Sequence, residues 1–111
     1  MGLFKLKVFL IVIQTRLMKE GIIVETRIAL IGIIVEDKKS VEQINTLLHD
    51  YGEYIVGRMG VPYHKKQVSI ISVIIDASND IISGLSGKLG MIPNVSTKTV
   101  YSKVAIKESD E

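Results

Sequence analysis

"RIALIGIIV", Arg27 to Val35, and "VSIISVIIDA", Val68 to Ala77, decide the fold. Both stretches are apolar at odd and even positions alike, the pattern of strands covered on both faces. After the first comes the charged loop "EDKK" and then a helix. Ser40 with Gln43 three residues on reads as a capping box. Val41, Ile44, Leu47, Leu48 and Tyr51 fall on one helical stripe, and Gly52 is placed to end it. "EYIVGRMG", Glu53 to Gly60, reads as a weaker strand of mixed polarity, and "VPYHKKQ" as a loop in which Pro62 interrupts pairing. After the third strand, Ser78 or Asn79 caps a second helix with the stripe Ile81, Ile82, Leu85 and Leu89. "GMIPN" turns the chain into a last, polar-alternating strand from Val95 to Val104.

The order βαββαβ is the split arrangement of the ferredoxin-like α+β sandwich, with two helices on one face of a four-stranded antiparallel sheet. In that topology the first and third strands lie in the middle and the second and fourth at the edges. The apolar pair and the polar pair fall accordingly.

Two helices cover only one sheet face, yet both faces of the central strands are aliphatic. Ile31, Ile33, Ile71 and Val73 form one set, and Leu30, Ile34, Ile70 and Ile74 the other. Whichever set faces outward exceeds the apolar patch a monomer ordinarily leaves in water. The chain is therefore expected to form a homo-oligomer, a dimer or tetramer, with one of these sets as its interface. The alternation alone leaves both sets open.

The 111 residues carry a hydrophobic fraction of 47% with 5% aromatic, so the core is one of Ile, Val and Leu. With no cysteine there is no disulfide, thiolate metal site or cysteine nucleophile. The formal charge of +2 is unevenly spread: residues 1–23 carry four basic groups against one acidic, and residues 24–111 carry ten against eleven. The body at net −1 has no electrostatic footprint for duplex DNA. In the leader, residues 1–23, the apolar run Val8 to Ile13 is far short of the ~20 residues that span a bilayer, so no membrane association is expected. Lys19-Glu20-Gly21 corresponds to codons containing a bacterial ribosome-binding sequence, with Val24 as a candidate GTG start. The leader reads either as untranslated message or as a flexible extension. Residues 24–105 form the domain, and the acidic tail 106–111 is expected to fray.

Chemistry is sparse. "GLSGKLG", Gly84 to Gly90, follows a helix and precedes a strand, the reverse of a phosphate loop, whose helix N-terminus faces the anion. It reads as a helix end, with Gly84 and Gly87 allowing close packing and Gly90 a left-handed cap. His49 and His64 do not make a metal site, which needs three or four converging ligands. No nucleophile, base and orienter are spaced as a catalytic set, so neither enzymatic activity nor a cofactor is expected. The candidate ligand contacts are Asp37, Arg58, Tyr63, His64 and Asp76. Arg58 to Lys66 is the patch best suited to an anion or carboxylate, and a solvated edge strand and hairpin is the plainer reading of it.

From about Glu25 to Ser102 the chain resembles the iron-only hydrogenase system regulators, ACT-like proteins related in fold to the C-terminal domain of the nickel-responsive repressor. The stretches that carry the resemblance are "ETRIALIGIIVED", "YGEYIVGRMGVPY", "VSIISVIIDASNDIISGLSGKLGMIPNV" and "YSK". It implies a cytoplasmic, oligomeric regulator, transcriptional regulation being one route, with a small effector at a subunit interface or a protein partner in the hydrogenase system. A pure assembly module without a small ligand is the rival. The turn "EDKKSV" lacks the glycine of amino-acid-binding ACT domains, and the repressor's histidine and cysteine ligands have no counterpart here. Its ribbon-helix-helix DNA-binding domain also lacks a counterpart, since 23 preceding residues are too few for a strand and two helices.

Overall fold

The computed structural model describes residues 25–103. The elements run β1 (Arg27–Val35), α1 (Lys39–Asp50), a 3-10 turn (Gly52–Tyr54), β2 (Ile55–Tyr63), β3 (Val68–Ala77), α2 (Asn79–Gly90) and β4 (Val95–Tyr101). The sheet order is β2-β3-β1-β4, with every neighbouring pair antiparallel. This is the expected ferredoxin-like order, with the two aliphatic strands in the middle.

The sheet's inward side chains and the helix stripes make one core. Ala29, Ile31, Ile33 and Val35 of β1 and Ile71, Val73, Ile75 and Ala77 of β3 are buried. Ile44 and Leu48 of α1 lie against them, with Ile82, Leu85 and Leu89 of α2 and Ile92 beyond it. Every one of these side chains is aliphatic, so burial costs no polar desolvation and adds roughly 1.5–3 kcal/mol for each large one.

Four local readings need correction. Ser40 is not the capping residue of α1: its hydroxyl, buried, donates to the Pro93 carbonyl at 2.7 Å. The Asp37 carboxylate instead accepts from the Lys39 amide at 3.0 Å. Strand β2 starts later than Glu53, which sits in the 3-10 turn, and runs on through Pro62 to Tyr63. An edge strand tolerates proline where its missing N–H faces solvent rather than the ladder. Gly84 and Gly87 do not serve close packing. A Cβ on Gly84 would meet only the Tyr51 hydroxyl at an ordinary 3.6 Å, and one on Gly87 nothing within 4 Å. The left-handed residue after α2 is Asn94, φ 62°, not Gly90, which closes the helix. Ser78 caps α2 as expected, its hydroxyl accepting from the Ile81 amide. The leader, Val104 and the tail 106–111 lie outside the described residues.

Candidate functional site

Pairing register decides which aliphatic set faces outward. Ile31, Ile33, Ile71 and Val73 belong to the core, so they are not the interface set. Leu30, Ile34, Ile70 and Ile74 stand on the opposite face, joined by Val61 and Tyr63 of β2, and all six are 42 to 46% exposed. Met59 and Val100 are more open still. The sheet therefore presents a continuous aliphatic outer face that no element among the described residues covers. The sequence pattern assigned this face to β1 and β3 but missed the share of β2. Its alternation Gly57, Met59, Val61, Tyr63 is the period-2 signal that reveals it.

The five candidate ligand contacts do not converge. Asp37 is engaged in capping α1. Arg58 points to the helix side of the sheet, opposite Val73, and its guanidinium donates to the Asn45 side-chain carbonyl on α1 at 2.9 Å. That bond ties an edge strand to a helix and leaves the outer face without a cation there. Tyr63 ends β2 opposite Val68, and His64 opens the hairpin turn closed by the left-handed Gln67, φ 56°. Asp76 stands opposite Ile28 at the other end of the sheet. Eight residues of β3 separate the positions of Tyr63 and Asp76, roughly 26 Å of strand.

Between the hairpin and the start of α1 lies a cleft of about 40 Å³, lined by Lys38, Val41, Tyr63, His64 and Gln67 among others. The depression along α1 (Glu42, Asn45, His49) and the one between the helices (Gln43, Leu47, Lys88) are open to solvent. At the second, Lys88 donates to the Tyr51 hydroxyl at 3.0 Å, and this bond holds the ammonium pKa above its ordinary range. Burial, with the neighbouring Glu53 charge, raises that of Tyr54. No group of three or more His, Cys, Asp or Glu side chains is placed to hold a metal among the described residues. Nor is any helix among them long and apolar enough to cross a membrane.

The described residues make a ferredoxin-like α+β sandwich with an aliphatic core and an apolar outer sheet face. A family model described as "TM1266-like: Iron-only hydrogenase system regulator, putative" matches residues 27–99, and the chain belongs to this family. Among solved structures, the uncharacterized protein TM1266 from Thermotoga maritima is similar, at 40% sequence identity and a TM-score of 0.69. The match covers 71% of this chain and 100% of that one. No curated protein matches the chain.

Proposed function

We propose that this protein is a non-catalytic, cytoplasmic regulator of an iron-only hydrogenase system that works as an assembly of its own copies, with a small effector bound where copies meet. The observation that carries the reading is the aliphatic outer face. A contiguous apolar face of this kind marks an interaction surface, and an isologous partner supplies a matching surface without a second gene product. The single chain's small hairpin cleft favours an effector site completed by a second copy over one enclosed within a monomer. Of the candidate contacts, Tyr63 and His64 stand at one end of that face and Asp76 at the other, none with a side-chain hydrogen bond among the described residues, whereas Asp37 and Arg58 are committed within the fold.

Native mass spectrometry of the intact purified protein tests this reading. A multiple of the chain mass with an added small-molecule mass is the expected result. An oligomer with no added mass would shift the assignment to a pure assembly module, and a bare monomer would overturn both.

A further inference from the structure

Register lays the outer face out in rows that cross the strands. One ridge is Ile74, Leu30 and Val100, and a second is Val61, Ile70 and Ile34. Between them runs a trough floored by Ser72 and Gly32, with Met59 at the β2 edge and Lys98 at the β4 edge. Gly57 makes a second low point beside Ile74.

The chain by itself has no use for Gly32, whereas Gly57 lies at the register shift of a β-bulge in β2. Neither has a left-handed φ, a Cβ on Gly32 would meet nothing closer than the Lys98 carbonyl oxygen at 3.9 Å, and one on Gly57 would meet nothing within 4 Å. Glycine in a strand weakens it, and where the strand's own geometry does not demand it, glycine marks close approach by something else.

Resting on the assembly reading above, we infer that a second copy packs sheet to sheet on this face, related by a two-fold axis that crosses the strands between the Gly32 and Ile34 rows. That axis sets Ile34 of each copy over Gly32 of the other, Ile70 over Ser72, Val61 over Met59 and Tyr63 over Gly57. The Val61, Ile70 and Ile34 ridge fills the other copy's trough and both glycines receive a large side chain, while the Ile74, Leu30 and Val100 ridge meets Val68, Glu36 and Asn94. Lys98 meets Ser96 of the second copy, Glu36 lies over Leu30 in the last row of the overlap and Asp76 falls outside it. The other axes fit worse. Moving the axis onto the Gly32 row opposes Lys98 to Lys98 and trough to trough. Moving it one step further sets Ile70 over the Asp76 carboxylate and Lys98 over Val100, two charges against apolar side chains where the chosen axis has only Glu36 over Leu30. An axis along the strands stacks ridge on ridge and leaves the trough empty. The strands stay aligned, as face-packed sheets prefer. Four rows on four strands cover about 500 Å² per copy. The total of about 1,000 Å² reaches the size a specific interface needs.

Gly32→Val tests this directly. Valine adds apolar surface and strand propensity, so a face that is merely sticky would associate as well or better. The interlocked face should instead lose at least tenfold in dimer affinity by sedimentation while the far-UV circular dichroism stays native. Gly87→Ala, on the exposed side of α2, should associate like the wild type. The chain has no cysteine, so introduced thiols report alone. A mixture of Ile70→Cys and Ser72→Cys chains should cross-link to each other faster than either does to itself. Undiminished association of Gly32→Val, or preferential self-cross-linking of Ser72→Cys, would overturn the arrangement. Should Gly32→Val fail to fold, the thiol pairing decides. A wild type that is monomeric at tens of micromolar would instead overturn the assembly reading itself.

Discussion

Two adjacent residues of β1 give a sharp contrast when each is replaced by lysine. Ile31 is wholly buried, while Leu30 is 44% exposed on the outer face. Ile31→Lys removes about 1.5–3 kcal/mol of apolar burial. It also places an ammonium in the core, at a cost of several kcal/mol or its neutralisation. Together these rival a typical total stability of about 5–15 kcal/mol, so this variant should not fold. Leu30→Lys loses only part of its apolar burial in the single chain, about 1 kcal/mol, and the long stem can lie along the sheet with its charge in water. In the assembly each interface takes up two such lysines, one per copy. Even about 3 kcal/mol between them weakens association by roughly a hundredfold at about 1.4 kcal/mol per decade. Urea melts followed by circular dichroism, paired with sedimentation velocity, separate the outcomes. The expected results are an unfolded Ile31→Lys and a folded, monomeric Leu30→Lys, with Ile71→Lys and Ile70→Lys as the second pair. An Ile70→Lys protein that assembles like the wild type would refute the reasoning, as would an Ile31→Lys protein with native stability, whereas Leu30→Lys decides less because the inferred pairing sets it over Glu36 of the other copy.

Other outcomes follow from single contacts. Ser40→Ala should lose about 1–2 kcal/mol in urea melts, because the Pro93 carbonyl is left without its donor. Thermal stability should fall above about pH 10. The folded state raises the pKa of Tyr54 above 10.0 and that of Lys88 above 10.5, so what these groups contribute is complete below those values and is lost as pH climbs through the raised ones. Tyr54→Phe should flatten the first part of that decline in a pH series of melting temperatures. Residues 24–111, at net −1, should show no salt-resistant, sequence-specific retardation of duplex DNA, and any binding by the full chain should fade steeply with salt.

The topology was legible because the contrast between central and edge strands is written in side-chain type. β1 and β3 are Ile-rich at both parities, and β4 alternates. The outward parity was harder to read, since Ile and Leu occupy both sets and transfer free energy does not separate them. The weaker clue lay in the small and polar members. Gly32, Ser72 and Asp76 share parity with Leu30 and Ile74, and a core would not have placed a carboxylate there. The end of β2 was misread because Pro62 counts against a strand only when its missing N–H faces a partner, and an edge supplies a side without one. Ser40 looked like a cap because local spacing cannot reveal that the Pro93 carbonyl comes within reach from 53 residues away. Chemical type alone marks the candidate ligand contacts, and register scatters them, since Tyr63 and Asp76 occupy opposite ends of one sheet.

The size of the proposed contact bears on how a regulator of this kind responds. About 1,000 Å² lies at the small end of specific interfaces, where association is weak and readily shifted. A ligand that binds only the paired form stabilises it by about 2.7 kcal/mol at a hundred times its dissociation constant, which is roughly a hundredfold in dimer affinity. A larger interface would hold copies together whatever the effector did, and a polar one would not hold them at all. An aliphatic face of four rows, notched by two glycines, would leave the proposed pairing equilibrium within reach of a single small molecule. On the proposed function, effector concentration would set the proportion of paired chains, and that proportion would be the signal a hydrogenase system reads.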